Sequence, residues 1–282
     1  MPELPEVQTV VSQLGKKIVG KTIKGVWSDW RKAVRPSFSV FEKTVAGAVV
    51  SGTRRKGKHI VIDLNNDHSV VIHLKMTGHL LVKTDANRES VEFKDPFNQF
   101  IHHRLTFTDG TTLEFSDMRK FGWMEAMRTA DVEALASIAS LGIDALSDRF
   151  ALPVFEKILE KKSKTRIGML LLDQELIAGI GNIYRSEALF DAGILPERMV
   201  SSLSSDERKM LLASIKKVLR KAVKLRGMSD GDFRDTDGAE GQYQKELGVY
   251  GRHGKPCPKC GTILERIKLG QRTAFFCPSC QR

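Results

Sequence analysis

The chain begins MPELPEV, a proline followed at once by a carboxylate and, three residues on, by another. Met1 stands before a small side chain, so an aminopeptidase is expected to remove it and leave Pro2 as a free secondary amine beside Glu3. An α-amino group titrates near pH ~7.7–8, so an appreciable fraction is uncharged and nucleophilic at neutral pH. A nucleophilic amine beside a proton donor is the pair required for covalent chemistry at an electrophilic carbon through an imine. The same residues also suit a helix start, with proline in the first turn and Glu3 and Glu6 favoured by the helix dipole. The pattern alone leaves both roles open.

All four cysteines lie in the last 26 residues, as Cys257-Pro-Lys-Cys260 and Cys277-Pro-Ser-Cys280. Two C-x-x-C knuckles separated by 16 residues have the spacing of a four-thiolate site for one structural zinc ion. Two disulfides are the alternative, and a reducing compartment with paired knuckles argues against them. Residues 251–282 carry seven Lys/Arg against one Glu, so the segment stays basic even after four thiolates and a zinc ion remove two charges.

Such a finger needs a scaffold and a partner. The 282 residues are 41% hydrophobic, enough for a real core in one large domain or two to three smaller ones. Forty-five basic against thirty-four acidic side chains give a net charge of +11, which points to a polyanion, nucleic acid before membrane. No apolar run approaches the ~18 residues that span a bilayer, and no basic amphipathic segment stands out. The amino terminus lacks the basic and apolar stretches of a signal peptide, so a cytoplasmic protein is expected.

Leu4, Val7, Val10, Val11, Leu14 and Ile18 follow helical spacing, predicting an amphipathic helix over residues 3–19. From about 22 to 127 the pattern turns to short strands, HIVIDL, SVVIHLKM, RLTFTDGTTLEF and GWMEAM, which suggest a β-sandwich. Residues 84–99 read as a long exposed loop. Beyond 130 the period is helical in ADVEALASIASLG, LPVFEKILEKK, IGMLLLDQELIAG, NIYRSEALFDAG and SSDERKMLLASIKKVLRKAVKL. In AGIGN two glycines lead to a helix start at Asn182 whose free N–H groups suit a phosphate. A dinucleotide fingerprint fails there, since Tyr184 occupies the third glycine position and a helix precedes. Residues 226–248, with five glycines and several aspartates, read as a mobile loop that fits no calcium-loop register.

PELPEV, RRKGKH at 54–59, DMRKFG at 117–122, LLLDQELIAGIGNIYRSEALF at 170–190 and VYGRHGKPCPKC…GQRTAFFCPSCQR occur in this order. Together they closely resemble the formamidopyrimidine-DNA glycosylase family, bacterial enzymes that excise oxidised purines. The resemblance runs from residue 2 to 282. It implies an α+β, multidomain fold: a catalytic β-sandwich with its leading helix over 1–131, a helix–two-turn–helix domain over 132–248 with a flexible loop at 226–248, and a zinc finger over 249–282. DNA would lie in a cleft between two lobes.

Through that resemblance Pro2 corresponds to the nucleophile and Glu3 to its acid/base partner; Glu6 matches another family carboxylate that supports the first turn or simply caps the helix. Lys58, Asn182 and Arg272 correspond to phosphate-gripping residues, which fix the backbone without reading bases. Met76, Arg119 and Phe121 match the three residues that fill the void left by a flipped base, with Met and Phe wedging into the stack and Arg donating to the orphaned cytosine. On their own, Met76 and Phe121 read as core residues and Lys58 as part of a solvated basic turn. His73, His102 and His103 suit either phosphate contact or a structural role, and His102 is carried forward as a DNA contact.

The resemblance also implies damaged double-stranded DNA as partner, a monomer, one structural zinc ion and no cofactor for the chemistry. Gly168 stands where the family often places a lysine implicated in lesion handling, and Arg185 where small or acidic residues are common. Those departures leave open the related endonuclease-VIII-like specificity for oxidised pyrimidines. A catalytically silent DNA-binding relative is the third reading, against which Pro2, Glu3 and Lys58 all stand.

Overall fold

Residues 59–64, HIVIDL, alternate, with Ile60, Ile62 and Leu64 on one face and Val61 between His59 and Asp63 on the other. In the computed structural model, which describes residues 1–229 and 231–282, they form a strand with Ile60, Ile62 and Leu64 in one core and Val61 in another. Two units are present: Met1–Ala139 with Leu225–Gln244, and Ser140–Lys224 with Lys245–Arg282.

The first unit holds β1 (Ile23–Ser28), β2 (Val34–Arg35), β3 (Val50–Lys56), β4 (His59–Leu64), β5 (His68–His73), β6 (Gly78–Lys83), β7 (Ile101–Phe107), β8 (Thr112–Asp117) and β9 (Trp123–Arg128). They make two sheets, ordered β1-β7-β8-β6 and β2-β9-β5-β4-β3. Leu80, Leu105, Leu113 and Phe115 of the first sheet share one core with Ile60, Ile62, Val70 and Ile72 of the second. Helix α1 (Leu4–Lys17) adds Val7, Val10, Val11 and Leu14 to it, the stripe its spacing predicts. Each such side chain contributes ~1.5–3 kcal/mol on burial. Helix α2 (Phe38–Val45), capped by the Ser37 hydroxyl, contributes Phe41 and Val45.

Four segments differ from the sequence reading. Residues 84–99 are not simply an exposed loop: turns at Val91–Lys94 and Pro96–Gln99 bury Phe93 and Asn98, and Asn98 Nδ2 donates to the Glu92 and Gly238 carbonyls at 2.7 and 3.0 Å. Residues 130–142 form a 3-10 turn, Thr129–Ala134, and one turn of helix α3 (Ala136–Ala139) instead of one helix. Burial of Val132 and Ile138 with Val61, Val71 and Trp123 sets that backbone, not a helical repeat.

The third is 226–248, of which Asp230 lies outside the described residues. Its larger part, Leu225–Gln244, belongs to the first unit and is folded onto it. Asp235 and Thr236 are fully buried; the Asp235 carboxylate accepts from the Asp237 and Ala239 N–H groups at 3.0 and 3.1 Å. Gln13 of α1 accepts from the Thr236 N–H at 3.0 Å, and Thr236 in turn accepts from the β6 N–H of Val82 at 2.8 Å. Gly and Asp build folded turns as readily as mobile linkers, so composition could not separate the two.

The second unit holds the parallel pair β10 (Ile143–Asp144) and β11 (Ile177–Ala178), helices α4 (Leu152–Lys161), α5 (Ile167–Leu170), α6 (Asn182–Ala192) and α7 (Ser205–Lys224), and the hairpin β12 (Glu265–Leu269) with β13 (Arg272–Phe276). The helix expected over 167–179 stops after one turn. Gln174 replaces it with a side-chain-built turn, donating to the Leu172 and Ile180 carbonyls and accepting from the Gly179 N–H. Helix α6 is buried on nearly every face and ends at Gly193, whose φ of 72° requires glycine or its equivalent. Among the described residues no helix is long and apolar enough to cross a membrane.

Candidate active site and nucleic-acid interface

Pro2 is buried, and Met1 ahead of it is 47% exposed. Glu3 is the N-cap of α1 and Glu6 sits one turn in, both nearly fully buried. Glu6 Oε2 accepts from the Glu3 N–H at 2.7 Å, and its Oε1 accepts from the Met228 N–H at 2.8 Å. Gly227 approaches the same carboxylate so closely that a Cβ would lie 2.6 Å from Oε1. Helix capping and chemical positioning are therefore one arrangement: Glu6 ties the turn bearing Pro2 and Glu3 to the folded 225–244 segment.

Lys58 lies half-buried in the two-residue turn between β3 and β4, where Gly57 takes a φ of 55°. Arg55 braces that turn, donating to Gln8 Oε1 of α1 and to the Gly57 carbonyl, each at 2.9 Å. Beside it the rings of His59 and His73 are 4.7 Å apart at their centroids, and both neighbour Trp123. Burial pushes His59 down to about 4 and His73 to about 3, helped for His73 by the charges of Lys75 and Lys58. His73 Nδ1 accepts from the Lys75 N–H at 2.9 Å, so its proton sits on Nε2 and a neutral donor remains. His103 is buried against the Ser28 hydroxyl at 2.9 Å, and His102 is held by the Asp29 carboxylate at 2.9 Å.

Met76, Arg119 and Phe121, from two separate loops, converge. Met76 and Phe121 are 40% and 50% exposed, against their reading as core residues. The Arg119 guanidinium lies 4.6 Å from the Phe121 ring centroid, and its Nη1 is 3.1 Å from Met76 Sδ. The organiser is Asp117, which the sequence reading left unassigned. Its buried carboxylate accepts from the Thr77 hydroxyl, from the Arg119 N–H at 3.2 Å and from the Gly122 N–H at 2.7 Å. Lys75 and Lys120, next to the three residues in sequence, have φ of 54° and 55°, a conformation that non-glycine residues adopt at a cost.

In the second unit Asn182 opens α6 and Arg272 opens β13, exposed beside the Gly270-Gln271 turn. Arg185 is fully buried; its Nη2 donates to Asn182 Oδ1 at 2.5 Å and to the Thr273 carbonyl at 3.0 Å, and its Nη1 to the Gly168 carbonyl at 3.0 Å. Glu187 is also buried, accepting from the Gly248, Val249 and Tyr250 N–H groups at 2.9, 3.0 and 2.8 Å. Burial pushes its carboxyl up while those donors pull it back. Charged residues set among Ile183, Ala188, Leu189 and Phe190 were the available sign of these roles.

The four cysteine sulfurs lie within 4.8 Å of one another, with Cys257 to Cys280 at 3.9 Å and Cys260 to Cys277 at 3.5 Å. A tetrahedron of sulfurs ~2.3 Å from a zinc ion has edges of ~3.8 Å, so the donor set fits. The Lys259 and Cys280 N–H groups donate to Cys257 and Cys277 sulfurs at 3.4 Å, as thiolate ligands need. Thr262 holds the Cys260 thiol down at about 6, whereas hydrogen bonding with Cys260 pushes Cys280 up to about 12. A divalent cation lets all four lose their protons.

Family models match three successive segments: the formamidopyrimidine-DNA glycosylase N-terminal domain at residues 1–124, the H2TH domain of the same enzymes at 141–233, and the zinc finger found in FPG and IleRS at 254–282. Fold and site thus define a helix–two-turn–helix, zinc-finger DNA glycosylase. A formamidopyrimidine-DNA glycosylase from Pelotomaculum thermopropionicum is 38% identical over 283 residues, covering 100% of this chain and 99% of its own. The Lactococcus lactis Fpg in complex with abasic-site DNA superposes with a TM-score of 0.87 at 34% identity, covering 99% of both chains. A MutM complex with DNA containing carbocyclic 8-oxo-G gives 0.86 at 35% identity over 100% of both. The chain belongs to the formamidopyrimidine-DNA glycosylase family.

Proposed function

We propose that this protein is a base-excision-repair glycosylase for oxidised purines, 8-oxoguanine and formamidopyrimidines, that also cleaves the strand as an AP lyase. The observation that carries it is the opening turn, in which a buried Pro2–Glu3 pair is pinned by Glu6 in a chain related to this family over its whole length. The freed Pro2 amine attacks C1′ of the flipped nucleotide, and the C1′–N bond breaks as the base leaves with a proton. The C1′–O4′ bond then opens, O4′ taking a proton as the Pro2 nitrogen lone pair forms the iminium ion, and Glu3 shuttles these protons. The cation acidifies the C2′ hydrogen; its loss expels the 3′ phosphate, and a second elimination expels the 5′ phosphate. Lys58, Asn182 and Arg272 hold backbone phosphates, while Met76, Arg119 and Phe121 occupy the vacated stack. The protein acts as a cytoplasmic monomer.

The test is purified, processed protein on duplexes carrying 8-oxoguanine or thymine glycol, with borohydride present. Excision and a covalent adduct on the 8-oxoguanine duplex are expected. Preference for thymine glycol would instead indicate the endonuclease-VIII-like specificity, and binding without adduct a catalytically silent protein.

Zinc removal separates the units. The ligands sit in the finger, whereas the first unit has its own core. A chelated protein or Cys257→Ser should bind lesion duplex at least ~10-fold more weakly, because Arg272 loses a fixed position. Thermal unfolding followed by Trp27, Trp30 and Trp123, all in the first unit, should hardly move. Equal affinity with and without zinc would rule this out.

A further inference from the structure

Arg185 heads the large side chains that are wholly buried. A guanidinium does not shed its proton, so burying one is costly unless its N–H groups are held. Here its N–H groups donate to two carbonyls and a carboxamide, those of Gly168, Thr273 and Asn182. These belong to α5, to β13 one residue after Arg272, and to the first residue of α6. Helix α5 is itself closely packed there: a Cβ at Gly168 would lie 2.6 Å from the Pro196 carbonyl oxygen and 3.0 Å from Leu269 Cδ1 of β12.

The contact with Asn182 also fixes a chemical choice. A guanidinium has only donors, so it selects the carboxamide oxygen and leaves the amide N–H groups as the other end of that side chain. An Asn182 held this way offers donors, which a phosphate oxygen accepts.

We propose that Arg185 is a positioning residue that sets the Asn182 carboxamide with its donors toward DNA phosphate and locks β13, and hence Arg272, to the start of α6. Asn182 and Arg272 then grip the backbone as one unit. This rests on the phosphate role proposed for those two residues.

The experiment measures binding to a duplex with a tetrahydrofuran abasic analogue over a range of salt, for Arg185→Met, Arg185→Lys, Asn182→Ala, Arg272→Ala and the double variants with Arg185→Met. Zinc content and circular dichroism establish that each is folded; should Arg185→Met fail to fold, Arg185→Lys carries the comparison. Arg185→Met should weaken binding ~10- to 100-fold and lower the log–log salt slope by about one to two, since phosphate contacts are lost together. Adding Arg272→Ala should weaken it by much less than the product of the single effects. Arg185→Lys should recover part of the loss. A parental salt slope with full multiplicativity would overturn the proposal, reducing Arg185 to a structural residue. Parental binding by both Arg272→Ala and Asn182→Ala would instead remove the phosphate reading itself.

Discussion

A protein that keeps even one residue ahead of Pro2 is expected to bind lesion duplex within about threefold of the processed chain, because the phosphate contacts proposed for Lys58, Asn182 and Arg272 lie elsewhere, and to excise nothing. With Met1 attached the Pro2 nitrogen is a tertiary amide whose lone pair is delocalised, and it forms no iminium ion. Glu3→Gln should likewise keep binding and lose excision by ~100- to 10,000-fold, the usual scale of general acid–base catalysis. The substitution leaves the turn intact, because Glu6 still accepts from the backbone N–H of residue 3 and a glutamine amide oxygen can accept from the Glu6 N–H that the Glu3 carboxylate caps. Opening of a preformed abasic site should survive in Glu3→Gln, since the aldehyde is already present. Peptide mapping of the borohydride adduct decides the matter. Full excision by the blocked chain, or an adduct on Lys58, would sink the assignment of Pro2.

Mild acid should destabilise the first unit before its carboxylates titrate. Burial lowers His59, His79 and His103 to about 4 and His73 to about 3, from an ordinary value of 6.5. The unfolded chain therefore binds protons first, so this stability is fully present above pH 6.5 and drains away as pH falls toward 4. At pH 5 each imidazole accounts for ~2 kcal/mol, and four together for several kcal/mol, comparable to the ~5–15 kcal/mol of a whole domain. All three tryptophans lie in this unit, so urea unfolding followed by fluorescence reads it directly. The midpoint should hold from pH 9 to 7 and fall steeply from 6.5 to 4.5. A flat midpoint down to pH 5 would mean the four rings are not neutral in the fold.

The strands were legible because alternation is a local property: HIVIDL forms β4 with its faces in two cores, as a doubly buried strand must. The cysteine pairs were legible for a similar reason, spacing alone determining which sulfurs can meet. Met76 and Phe121 were not legible by hydrophobicity, which places such residues inside; only their family motif indicated otherwise, and both are exposed beside Arg119. Asp117 was passed over because nothing local distinguishes a buried carboxylate that gathers N–H groups from a turn aspartate. IGMLLLDQELIAG carries helical periodicity, yet Gln174 outcompetes the backbone for its hydrogen bonds. In each failure a long-range or side-chain contact overrode a local preference.

Glu6 and Met228, whose contact steadies the opening turn, are 222 positions apart. The first unit is also discontinuous, closed by Leu225–Gln244 only after most of the second has been synthesised. During translation the leading helix and both sheets thus emerge long before the segment that completes them. The turn bearing Pro2 and Glu3 gains its Glu6–Met228 brace only when residues 225–244 have left the ribosome. A nascent chain lacking that segment has Pro2 and Glu3 without the Glu6–Met228 brace, so the opening turn, made first, is completed late in the order of synthesis.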